Sequence, residues 1–365
     1  MTPIKPETRS RRGRLVRADS AARHVPLPAI ERGTEILRLL DAHLYLSNDQ
    51  IETLLFRQGR TATGKPRSPK GAAYAANTAL RRLFDSGYVD RIPVFLPGLK
   101  PHTVKSHYVN VLSTRGARVA AELLKQEGRA PRWRRPLLPH PWQPILHGYW
   151  IRQFAVIGRA ACEAQNWRWW SWFDDRQLAA LKKEHGARFA AVPDGFFVIT
   201  NPESGKDFPH FLEIDLGTET VTARSPHRLD WRGKVESYLD YMDRHFREQF
   251  GLVSLPIVLT VTESEKRLEH LLAATGHAGG GGRFWFTTLD QLFSPAGVLD
   301  GHKKTVSDAL EGTFWASIWR VPTIEPVAQF SEPLWPFSSP RRVAGRWVKW
   351  GLPPPSRSGD VGGFA

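Results

Sequence analysis

Two or three carboxylates stand at spacings suited to holding a divalent cation. Asp194 follows Pro193 in RFAAVPDGFFVIT, and Glu213 and Asp215 lie in HFLEIDLGTET. Asn201, Pro202, Gly205 and Asp207 form a polar turn between the two apolar runs, so the pattern predicts a hairpin of strands at 195–200 and 210–216. Side chains alternate along a strand, which puts Phe211, Glu213 and Asp215 on one face and Leu212, Ile214 and Leu216 on the other. Asp194 then sits at the mouth of the hairpin, near Glu213. Carboxylates that converge in this way repel unless a cation joins them, and hard oxygen ligands suit Mg²⁺ or Mn²⁺. Lys234 falls in the first turns of the next helix, expected over 229–249, beside an apolar stripe of Val235, Leu239, Met242 and Phe246. A plainer reading stays open. Pro-Asp is a common turn dipeptide, Glu213 and Asp215 would then line the solvated face of an edge strand, and Lys234 would be an ordinary exposed helix residue.

The elements around these residues alternate. A helix is expected over 145–163, a Trp-rich strand in NWRWWSWF, a short helix in DDRQLAALKKEHG, a strand at 255–262, a helix over 265–273 and, after the run Gly279 to Gly282, a strand at 283–287. Helices alternating with apolar strands indicate an α/β sheet domain, which the sequence delimits at 144–325.

Upstream, residues 29–128 read as a separate domain. Ile36, Leu37, Leu39 and Leu40 give a first helix; Ser47 reads as the cap of a second, with Gln50 at the reciprocal capping position. A third runs through AYAANTALRRLF and stops near Gly87. Tyr88 to Ile92 and residues 107–112 form a hairpin, and a helix follows Ser113. Three helices and a hairpin give the order of a winged helix-turn-helix, whose third helix enters the major groove. Its polar face holds Tyr74, Asn77, Thr78, Arg81 and Arg82, and the loop before it holds Arg57, Arg60, Lys65, Arg67 and Lys70 with no acid between them. Those residue types meet base edges and phosphates. A winged helix used only for docking or dimerisation is the alternative.

Charge favours the nucleic-acid reading. The 365-residue chain carries a net charge of +15, which suits a polyanionic partner such as double-stranded DNA. The excess is clustered: in the basic N-terminal stretch 1–28, in the loop just described, and in the Pro/Arg-rich linker 129–143 with Arg129, Arg132, Arg134 and Arg135. Residues 326–365, rich in Pro, Arg, Ser and Gly, read as a partly disordered tail. Cys162 is the one cysteine, which excludes internal disulfides and cysteine-based zinc sites. With no apolar run long enough to span a bilayer and no signal-like N-terminus, a cytoplasmic location is expected. His140 and His147 read as packing or capping residues. ATGKPRS lacks the glycine spacing of a phosphate loop and has Pro66 where a helix should begin.

Pro193-Asp194, the spacing to Glu213, the EIDLGTE string, Lys234 on the next helix, and the VLTVTESEKRL and FWFTT segments resemble the replication-relaxation proteins of plasmids and other mobile elements. The resemblance covers residues 30–300. It implies a winged helix-turn-helix followed by a PD-(D/E)xK (restriction-endonuclease-like) domain, α/β plus α+β in class. It further implies DNA and replication or conjugation machinery as partners. Asp194 and Glu213 would be metal ligands there. Asp215 departs from the lysine usual two residues after the Glu, so Lys234 would supply the missing ammonium as a catalytic group and Asp215 a third carboxylate. Mg²⁺ or Mn²⁺ would then generate hydroxide for endonucleolytic nicking or cleavage. A non-catalytic DNA-binding regulator that keeps the nuclease fold is the alternative.

Overall fold

The computed structural model describes residues 25–57, 65–94, 107–132, 142–184, 191–217, 230–293, 314, 318–322, 341–343 and 346–348. The chain is mixed α/β and divides into two compact units, Met1–Val156 and Ile157–Ala365.

In the first unit, α1 (Gly33–His43) buries Ile36, Leu37 and Leu40. It ends at Leu44, whose φ of 64° lies in the left-handed region that bulky side chains rarely adopt. The chain thereby turns into a three-residue strand, β1 (Tyr45–Ser47), inside a stretch whose spacing suggests only helix. Ser47 caps α2 (Asn48–Leu55): its Oγ accepts from the Gln50 amide at 3.2 Å, and Gln50 Oε1 accepts from the Ser47 amide at 2.9 Å. Helix α3 (Pro69–Asp85) starts with Ser68 as cap and Pro69 in its first turn, where a missing N–H costs nothing. It buries Ala72, Ala76, Ala79, Leu80 and Leu83. Gly87, at φ 75°, closes it: Tyr88 N–H donates to Leu83 O and Gly87 N–H to Phe84 O, a Schellman end.

Strands β2 (Val89–Val94) and β3 (His107–Leu112) then pair antiparallel, and β1 joins the far edge to give the order β1-β3-β2. Helix α4 (Thr114–Gln126) packs back on the unit so closely that a Cβ on Gly116 would lie 1.9 Å from Tyr88 O. Residues of α5 (Trp142–Ala164) up to Val156 also belong to this unit. Arg152 stacks 4.0 Å over the Tyr45 ring, and Gln153 Oε1 accepts from Gln50 Nε2 at 2.9 Å.

The second unit is built on a five-stranded sheet in the order β4 (Arg168–Asp174), β5 (Gly195–Thr200), β6 (Asp207–Asp215), β7 (Ile257–Thr262), β8 (Phe284–Thr288). The first three strands are antiparallel; β7 and β8 run parallel to β6. A short helix, α6 (Asp175–Glu184), follows β4. Helices α7 (Trp231–Arg244) and α9 (Glu265–His277) make the two crossovers that parallel strands require, with the single-turn α8 (Phe246–Phe250) after α7 and α10 (Leu289–Phe293) after β8.

Strand β6 is therefore central and buried on both faces. On one face Phe211 enters a core with Phe196, Val235, Tyr238, Tyr241, Phe246 and Leu268. On the other, His210 stacks on Phe197 at 4.9 Å, and Phe197 on Trp169 at 4.4 Å. Burial holds His210 neutral, its pKa pushed down to about 3. Within the C-terminal tail, Arg341–Val343 and Arg346–Val348 form an antiparallel ribbon, β9 and β10. The rest of 326–365 lies outside the described residues.

Candidate functional site

The hairpin read from the sequence is present. Asp194 precedes β5, and its Oδ2 accepts from the Ile214 amide at 2.8 Å, which ties it to the strand that carries Glu213. Glu213 is not on a solvated edge: it is 2% exposed on the central strand. From the first turns of α7, Lys234 brings Nζ to 2.7 Å from Glu213 Oε2, and Tyr238, one turn later, donates its hydroxyl to Oε1. Burial pushes the Glu213 carboxyl up to about 7; Lys234 opposes that shift, Asp194 adds to it, and the hydrogen bonds from Lys234 and Tyr238 lower it. Asp194, Glu213 and Lys234 thus form one electrostatic group, with Glu213 poised to exchange a proton near neutrality.

Asp215 shares the face of β6 but has another partner. Arg267, on α9, forks onto it with Nε at 2.6 Å from Oδ2 and Nη2 at 3.1 Å from Oδ1. Thr262 and the Gly217 amide add bonds at 3.1 and 3.2 Å. A bidentate guanidinium leaves little of the carboxylate for a cation. Among the described residues no group of three or more His, Cys, Asp or Glu side chains could hold a metal ion, so the expected set of Asp194, Glu213 and Asp215 is not assembled. The departure is in Asp215. Arg267 escapes a reading of the sequence because its partner lies 52 residues away and is reached only through the parallel pairing of β6 with β7.

The basic loop and third helix also separate into two kinds of residue. Tyr74 is 76% exposed, and Lys65, Lys70, Asn77 and Arg82 are exposed too. Spacings of four, three and four along Lys70, Tyr74, Asn77 and Arg81 place them on one side of α3. Thr78 and Arg81 are half-buried, and Arg81 pairs with Asp85 at 2.8 Å. Arg57 and Arg67 differ. Arg67 binds Glu31 at 2.5 Å and lies 5.9 Å over Phe56, while Arg57 is 3.5 Å from Glu52. Both guanidiniums are largely covered, so these two residues serve the fold. Arg60 lies outside the described residues.

Asn48 Nδ2 reaches Asn77 Oδ1 at 2.6 Å, and buried Asn110 reaches Asn48 in turn. Neither Asn48 nor Asn110 stands out in the sequence, since polar residues in a strand and a helix start carry no local signal of meeting.

A mixed α/β chain with an exposed basic helix and a buried carboxylate–ammonium group is thus defined. The family model described as replication-relaxation matches residues 37–253, more than half of the chain, and the protein belongs to that family. The match includes α3, Asp194, Glu213, Asp215 and Lys234; Arg267 lies beyond it. No curated protein and no solved structure matches the chain. Among the described residues no helix is long and apolar enough to cross a membrane.

Proposed function

We propose that the protein binds double-stranded DNA in the replication or relaxation of a plasmid or other mobile element, in concert with replication or conjugation machinery. The family supports the process. The first unit supports the partner. Its order α1-β1-α2-α3-β2-β3, with sheet order β1-β3-β2, supports a winged-helix reading, in which the third helix is the groove-reading one. The observation that carries the reading is the exposed side of α3, where Lys70, Tyr74, Asn77 and Arg82 project beside Lys65 from a helix whose other side is anchored by alanine and leucine. Phosphate contacts from the lysines and Arg82 set the register; Asn77 and Tyr74 face the bases. The test is retention of a labelled duplex of the native replicon by the full chain. Lys70→Ala with Arg82→Ala should weaken it at least ten-fold, and unchanged retention would refute α3 as the contact.

The second unit supports a PD-(D/E)xK-like reading. Its order α5-β4-α6-β5-β6-α7-α8-β7 has Asp194 before the second strand and Glu213 in the third. Metal-dependent nicking is a second reading, favoured by the grouping of Asp194, Glu213 and Lys234. Mg²⁺ is commonly held by one or two carboxylates completed by water and substrate phosphate, so this reading needs only Asp194 and Glu213, and Glu213 must exchange part of its hold by Lys234 and Tyr238 for the ion. When bound, the ion would supply a water of lowered pKa. The protein's own part is to oppose, through Lys234, the burial that raises the Glu213 pKa and to hold its orientation through Tyr238. Supercoiled plasmid nicked by wild type in Mg²⁺ or Mn²⁺, and spared by Glu213→Ala or a chelator, is the expected result. No nicking of native-host plasmid would leave a DNA-binding scaffold.

A further inference from the structure

We propose that Asn77 is the residue of α3 that selects a base, that the base is adenine read in the major groove, and that Asn48 and Asn110 are positioning residues for it. The proposal rests on the reading of α3 as the DNA contact and adds what that contact distinguishes.

Three amides run in series from the interior to the exposed side of α3. Asn110, on β3, is fully buried and sits opposite Leu46 of β1 in the sheet register. Its Nδ2 donates to Leu46 O at 3.1 Å and to Asn48 Oδ1 at 2.8 Å. Asn48, in the first turn of α2, donates Nδ2 to Asn77 Oδ1 at 2.6 Å. Asn77 donates Nδ2 to Ala73 O at 2.8 Å, one turn back along α3.

The two ends of this series are backbone carbonyls, which only accept. That fixes every amide between them, because turning any one over would set oxygen against oxygen or nitrogen against nitrogen. Asn110 bears the cost: among the described residues its buried Oδ1 has no hydrogen-bond partner, so its amide is held by what Nδ2 does. The series therefore transmits a single orientation to Asn77.

With these bonds made, the exposed Asn77 keeps one lone pair on Oδ1 and one N–H on Nδ2 for an outside partner. Adenine presents the complementary pair in the major groove, the N6 amino donor and the N7 acceptor, and a bidentate amide is the usual partner for it. Guanine presents two acceptors there and would leave Oδ1 facing an oxygen or ring nitrogen. Held this way, Asn77 also spends less rotamer freedom on binding than an unbraced side chain.

The test is enrichment of a duplex library with a randomised central segment by the full chain, followed by sequencing. Wild type should recover one position fixed as A·T, with discrimination between about 5-fold and about 150-fold. Asn77→Ala and Asn77→Asp should lose that preference alone, while the other positions keep theirs. Asn48→Ala, which removes the middle of the series from a half-buried site and is checked by an unchanged melting temperature, should degrade the same position at least several-fold. Asn110→Ser should do likewise where it folds. A recovered motif that Asn77→Ala leaves intact overturns the assignment, and an intact motif in Asn48→Ala overturns the positioning role. If wild type enriches no sequence while Lys70→Ala and Arg82→Ala still weaken DNA binding, base selection by Asn77 fails and the DNA contact stands. If those two variants also bind normally, the reading of α3 itself fails.

Discussion

Lys234 and Tyr238 hold the two oxygens of Glu213 from successive turns of one helix, with Nζ 2.7 Å from Oε2 and the phenol on Oε1. Residues four apart on a helix lie on the same side. Both therefore reach down onto the middle of β6, where water is excluded and a lone carboxylate would be costly. The charge of Glu213 is sustained by its neighbours, not by solvent, and its chemistry follows from which of them is present.

Stability should accordingly depend on pH through Glu213. Its carboxyl is raised from 4.5 to about 7 in the fold, so the folded protein binds a proton that the unfolded chain has released. The associated stability is complete below about pH 4.5 and is lost as pH rises through about 7. Relative to Glu213→Gln, wild type should lose up to about 1.4 kcal/mol per pH unit within that window, less where Lys234 keeps the pair ionised. Urea unfolding of both proteins from pH 4.5 to 8 reads this directly. A flat difference would mean that Glu213 titrates as an ordinary carboxylate.

Removing the ammonium should sharpen the same sensitivity. Lys234→Met leaves Glu213 buried with Tyr238 and Asp194 and raises its pKa further. Breaking a buried pair costs about 3–5 kcal/mol when the remaining charge cannot be relieved. The loss should be greatest at pH 8 and small at pH 5, where the carboxyl is protonated, and Lys234→Met with Glu213→Gln should recover most of it. Equal loss at both pH values would assign Lys234 to packing alone.

Arg267→Ala should destabilise the second unit by about 3–5 kcal/mol, since Asp215 is 2% exposed and would be left without either arm of its fork. Asp215→Asn should be milder and should leave any Mg²⁺-dependent nicking in place. Nicking abolished by Asp215→Asn at unchanged melting temperature would return Asp215 to the metal.

Much of this is legible in the residues, and the reasons differ by element. Helix α2 can be read because Ser47 and Gln50 are local signals, and they form the reciprocal cap they suggest. The end of α3 is marked by Gly87, which takes the left-handed turn. Strand β5 appears at the bounds its apolar run indicates, because a run bracketed by Asp194 and Asn201 has little freedom to slide. Strand β1 is hidden: three residues after Leu44 have no period to detect, and nothing in the sequence marks a leucine at positive φ as the start of a strand. Asn110 meets Asn48 only because that strand exists. Asp215 reads as a ligand for a related reason, since its true partner comes from a distant helix that no local spacing announces. Arg57 and Arg67 look like loop cations. Phe56, Glu31 and Glu52 draw them inward.

Gly116 offers a test of the first unit's packing that is separate from DNA. A Cβ there would meet Tyr88 O at 1.9 Å, backbone that cannot step aside as a side chain would. The better helix propensity of alanine is worth about 1 kcal/mol and cannot offset such a clash. Gly116→Ala should lower the melting temperature of the first unit by several degrees or prevent its folding. An unchanged melting temperature would show that α4 can shift away from the start of β2.

The exposed cations of α3 should show themselves in salt dependence. Lys70 and Arg82 are exposed on a helix whose fold depends on its buried alanines and leucines, so truncating either should change stability by no more than about 0.5 kcal/mol. Removing one phosphate-binding cation should weaken binding evenly across duplex sequences and reduce the magnitude of the slope of log K against log salt by about 0.9. Arg67→Ala should act differently: it removes the pair with Glu31 and the stack on Phe56, and so should cost stability without changing that slope. Titrations of the three variants between about 50 and about 200 mM salt, on specific and scrambled duplexes, separate the two behaviours. A slope reduced by Arg67→Ala and untouched by Lys70→Ala would place the DNA on the side of α3 facing Glu31, away from Tyr74 and Asn77.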